Sequence, residues 1–117
     1  MTTQQVADRF NELAQQNKFD EILTELFSAD ARSIEPANAP FQSVQGIDNI
    51  IAKGKQFHDM IEEMHSAYTN APMVAGNFFA CTMGMDVSLK GLGRQQFDEV
   101  AVYEVKDGKI ISEQFFF

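Results

Sequence analysis

A chain of 117 residues suits one domain around one core, and residues 1–117 read as such. A net charge of −8 and a pI near 4.5 exclude the basic surface that nucleic acid or an anionic membrane requires. No apolar run approaches the roughly 20 residues of a spanning helix, and the single Cys81 excludes an internal disulfide.

The start, MTTQQVADRF, lacks the basic-then-apolar layout of a signal peptide, so a cytoplasmic protein is expected. Val6, Phe10 and Leu13 stand at i, i+4 and i+7 and predict an amphipathic helix over 3–16. After Asn17 a second short helix carries Phe19, Ile22, Leu23, Leu26 and Phe27, with Asp20 and Glu21 in its first turn. Ala31 to Glu35 reads as a short strand stopped by Pro36, and 36–45 as a loop. Gly46 precedes a third helix whose stripe is Ile47, Ile50, Ile51, Gly54, Phe57, His58, Ile61 and Met64. Gly54 costs helix stability, so a close approach to the sheet is expected there.

From His65 the period changes to that of strands. Residues 65–74 and 77–89 pair about Ala75-Gly76-Asn77, and Gly91-Leu92-Gly93 turns the chain into a strand over 94–105. Asp107-Gly108 then sits between two runs rich in Val, Ile, Tyr and Phe, the strongest short hairpin signal. Helix, helix, strand, helix and four long antiparallel strands predict an α+β fold: a cone-shaped, curved, mostly antiparallel sheet with three helices on one face. Phe78 with Phe79, and Phe115 to Phe117, make the sheet apolar on both faces. A second copy of the chain is the expected cover for the far face.

This order resembles the SnoaL-like branch of the nuclear transport factor 2-like superfamily, which includes polyketide cyclases and ketosteroid isomerases and shares a cystatin-like fold. The resemblance rests on LFSADARSIEP at 26–36, on Gly46 opening the third helix, and on VYEVKDGKIISEQFF at 102–116. It implies a cavity between sheet and helices, with Glu35, before Pro36, in the place of the isomerases' general base. It also implies that the isomerases' two oxyanion donors fall on Phe10 and Val100, neither of which can donate. Steroid isomerisation itself is therefore not expected.

Matching the isomerase hairpin sets Arg94, Gln96, Asp98, Val100, Val102 and Glu104 toward the cavity, beside Glu113, Phe115 and Phe117. Asp98 and Glu113 become candidate acid–base partners of Glu35; a rim ion pair with Arg94 is the structural alternative. Phe10, Phe57, His58, Ile61, Tyr68, Met83, Val100, Phe115 and Phe117 are candidate ligand-binding residues, and core packing explains the apolar ones equally well. His58 and His65 do not form a metal motif, and no metal or cofactor is implied. Cys81 reads as a buried, inert thiol. Two functions stand open. One is a homodimer whose cavity takes a small hydrophobic molecule and supports acid–base chemistry. The other is a non-catalytic binding or dimerisation module.

Overall fold

The computed structural model describes all 117 residues. Helix α1, Thr3–Gln15, is capped by Thr2, whose hydroxyl accepts from the Gln5 N–H while the Gln5 side chain accepts from the Thr2 N–H. It buries Val6, Ala7, Phe10, Leu13 and Ala14. Asn17, at φ 58°, reverses the chain into α2, Phe19–Leu26, which buries Ile22 and Leu26. Helix α3, Ile47–Met60, starts at Gly46, whose φ of 92° and N–H bond to the Ala31 carbonyl tie it to the sheet.

The strands are β1 (Phe27–Ile34), β2 (Val44–Gln45), β3 (Ile61–Thr69), β4 (Met73–Ala75), β5 (Phe78–Leu89), β6 (Gly93–Lys106) and β7 (Lys109–Phe116). They form one open sheet in the order β2-β1-β7-β6-β5-β3, with β4 against β5. All pairs are antiparallel except β1 with β7. Asp107 and Gly108 both take positive φ, 52° and 76°, as a tight hairpin turn requires. The three helices pack on the concave face, and Phe10 of α1 meets Phe79 of β5 and Tyr103 of β6 there, with ring centroids 4.8–5.3 Å apart.

Several expected boundaries move. Strand β1 begins at Phe27 rather than Ala31, and the loop before α3 contains β2. Helix α3 ends at Met60: Ile61 and Met64 continue its period in sequence, but pairing with Leu89 and Val87 draws them into β3. Gly54 makes no close approach, since an added Cβ would meet nothing within 4 Å.

Candidate functional site

Between the helices and the concave sheet lies a cavity of about 760 Å³, within the range of small-molecule sites. Its floor holds Phe10, Tyr103 and Met83, and its rim holds Phe41, Phe57, Phe97 and Phe117. The rim rings meet edge to face in the order Phe41–Phe57–Phe97–Phe117, at 5.3, 6.4 and 6.3 Å. Four charged side chains reach this largely apolar space: Glu35, Lys53, Glu99 and Glu113.

Three of them are wired together. Glu35 follows the end of β1, and Lys53 projects from α3 to place Nζ 3.0 Å from Glu35 Oε1. Both side chains are nearly buried, at 13% and 12% exposure. Lys53 Nζ also donates to Ser33 Oγ at 2.6 Å, and Ser33 Oγ donates to Glu113 Oε1 at 2.7 Å. Ser33 is fully buried on β1, where its parallel register sets it opposite Glu113 on β7. Burial pushes the Glu113 carboxyl up to about 7, against the Ser33 hydrogen bond and the Lys53 charge, while the Glu35 charge raises it further. Glu99, on β6, is pushed up to about 7 as well, by burial first and then by the charges of Glu35 and Glu113. Burial likewise holds the Tyr103 hydroxyl neutral, well above its ordinary range. The arrangement can therefore offer a carboxylate base and neutral proton donors inside one apolar space.

The candidates from sequence divide. Glu35, Glu113, Phe10, Phe57, Met83, Phe115 and Phe117 border the cavity; Tyr68, on the edge strand, reaches its margin, but its hydroxyl lies with Asp98 on the other side of the sheet. Asp98 and Val100 do not. On β6 the inward residues are Phe97, Glu99, Ala101, Tyr103 and Val105, and Val100 is 41% exposed on the far side. The cause is a bulge. Counted evenly from the Lys106–Lys109 pair, Val102 would oppose Glu113, but an irregularity between Glu104 and Val105 sets Tyr103 there instead. A one-residue slip exchanges the faces. Glu99 was missed for that reason, although Phe97, Ala101, Tyr103 and Val105 form the more apolar alternation and would have pointed to it.

His58 is exposed and Ile61 has passed into β3; neither borders the cavity. The inward face of α3 is Ile50, Lys53, Gly54 and Phe57, turned roughly 50° from the apolar stripe at about 100° per residue. Lys53, a solvent-facing residue by periodicity, turns inward because Glu35 and Ser33 satisfy its charge. Tyr68 crosses Gly84 and donates to Asp98 Oδ1 at 2.7 Å. Arg94 pairs with Asp86, not with Asp98 or Glu113. Burial, then the Glu99 charge, pushes the Cys81 thiol up to about 11, which leaves it unreactive.

The family model for the SnoaL-like domain matches residues 1–117. This chain belongs to the SnoaL-like domain family. A Mesorhizobium loti protein described as a candidate SnoaL-like polyketide cyclase superposes on this SnoaL-like chain with a TM-score of 0.93 and 30% identity, covering 100% of each. A Xanthomonas campestris protein of unknown function with a cystatin-like fold gives 0.79 at 19% identity, over 99% of this chain and 90% of that one. A Catenulispora acidiphila protein with a ketosteroid isomerase-like fold, in complex with trimethylamine, gives 0.67 at 20% identity, over 82% and 72%. The last two share the fold alone. No curated protein matches the SnoaL-like chain.

Proposed function

We propose that this SnoaL-like domain binds a small hydrophobic carbonyl compound in its cavity and moves a proton on it, with Glu35 as base. The observation that carries the reading is the convergence of Glu35, Glu99 and Glu113 on a largely apolar space whose one cation is Lys53. Proton abstraction beside a carbonyl leaves an oxyanion, and an apolar site must supply donors for it. Phe10 supplies none, and Val100 points away. Glu99, pushed up to about 7 by burial, keeps its proton to higher pH than an ordinary carboxyl and can donate from the wall, and the neutral Tyr103 hydroxyl borders the same cavity. Glu99 thus takes the partner role first assigned to Asp98.

The test is exchange of α-protons of an apolar ketone in deuterated water, followed by NMR. The wild type accelerates exchange, and Glu35→Gln lowers that rate by about 10²-fold or more while still binding an apolar fluorescent probe. Binding without acceleration in the wild type would leave the second reading, a non-catalytic binding module. One oxygen of Glu35 is already engaged by Lys53, and that observation supports the second reading.

The same reading includes a homodimer formed through the convex sheet face. Its support is the apolar side chains this face presents: Phe78, Val100 and Phe116 are 47%, 41% and 49% exposed. Mass in solution by light scattering tests it.

A further inference from the structure

We infer that Lys53 is a positioning residue of this site: held by Ser33, its ammonium fixes the Glu35 carboxylate against the cavity wall and, through the Ser33 hydroxyl, orders Glu113. The assignment of Glu35 as base is the reading given above; the tie between Lys53, Ser33 and Glu113 stands without it.

Four observations carry the inference. Lys53 is the one cation bordering the cavity, against three carboxyls. Its Nζ touches two partners at once, Ser33 at 2.6 Å and Glu35 at 3.0 Å, so the long side chain is pinned from two directions. Ser33 relays the contact, accepting from Lys53 and donating to Glu113 at 2.7 Å. The partners come from separate elements: Ser33 from β1, Glu35 just after it, Lys53 from α3 and Glu113 from β7. Only the packed tertiary structure brings them together. A buried lysine without compensation would be costly, and a helix this sparsely buried would gain more from an apolar residue at position 53. What the lysine contributes instead is orientation.

The other titratable groups facing this cluster are Glu99 and Tyr103 from β6 and Cys81 from β5. Lys53 lowers Glu113 but is not among the groups that shift Glu99. That difference makes the arrangement testable without any substrate.

The experiment follows the carboxyl carbons of Glu113 and Glu99 by NMR across pH, with glutamate labelled at the carboxyl. The wild type is compared with Ser33→Ala, Lys53→Met and Lys53→Arg. Ser33→Ala and Lys53→Met should each move the Glu113 midpoint upward by about one pH unit, and Ser33→Ala should leave the Glu99 midpoint in place. Lys53→Arg should keep Glu113 near its wild-type value. Unchanged Glu113 midpoints in Ser33→Ala and Lys53→Met would overturn the inference, as would equal movement of Glu99 and Glu113 in Ser33→Ala, which marks a general loosening of the cavity. If Lys53→Met does not fold, Ser33→Ala and Lys53→Arg decide alone. Failure of the ketone-exchange assay with these midpoints moving as expected would remove the catalytic reading and keep the positioning role.

Discussion

Glu113 shows how one buried carboxyl links packing to pH. Its ordinary value of 4.5 rises to about 7 because burial outweighs the Ser33 hydrogen bond and the Lys53 charge. The folded state therefore binds this proton more tightly than the unfolded chain. That stabilisation is complete below pH 4.5 and is lost as pH rises through about 7. Glu99 acts in the same direction, less strongly because it is only part-buried. Stability measured by urea unfolding should fall by about 1–3 kcal/mol from pH 5 to pH 8. Glu113→Gln should flatten much of that slope, because the amide keeps the shape and does not titrate. A slope unchanged in the variant would show that other groups set it. Glu113 was legible in the sequence as an inward strand residue, but its partners Ser33 and Lys53 were not, since they lie 80 and 60 positions away in the chain.

Among the elements, β5 and β6 frame the cavity, and one glycine governs how closely β3 can cover them. At Gly84 an added Cβ would stand 2.5 Å from the Phe97 carbonyl oxygen, 2.6 Å from the Tyr68 ring and 2.8 Å from Asp98 Oδ1. The carbonyl belongs to the paired strand and cannot swing aside. Gly84→Ala should cost about 1–3 kcal/mol through strain, read as a lower urea midpoint with an unchanged m-value. A change within about 0.5 kcal/mol would show that the β5–β6 pair shifts to admit the methyl group without strain. Helices α1 and α2 and the final hairpin were legible because hydrophobic period and turn chemistry are local. The α3–β3 boundary was not, because Ile61 and Met64 satisfy both periods and only β5 decides between them.

For the whole molecule, the open sheet leaves one face under the helices and the other bare. The bare face carries the row Thr82–Val100–Phe116 across three strands, with Phe78 four residues further along β5 on the same face. If two copies bury this face, Val100→Lys with Phe116→Glu should convert a dimer of the 13.2 kDa chain to monomer in light scattering, with its far-ultraviolet circular dichroism kept. A wild-type monomer would reject the dimer. No helix is long and apolar enough to cross a membrane. Local pattern alone placed the three helices and the hairpin, because each follows from interactions within a few residues, and the order of the elements then indicated the fold class. Motif order added the family resemblance that the matching domain confirms. Tertiary structure decided which carboxyls face the cavity. One bulged residue on β7 moved the inward face of β6 from Asp98 to Glu99, and a turn of α3 brought Lys53 to Glu35. The apolar alternation of β6 hinted at its inward face, but strand register and helix rotation depend on partners distant in sequence, and only those partners settle them.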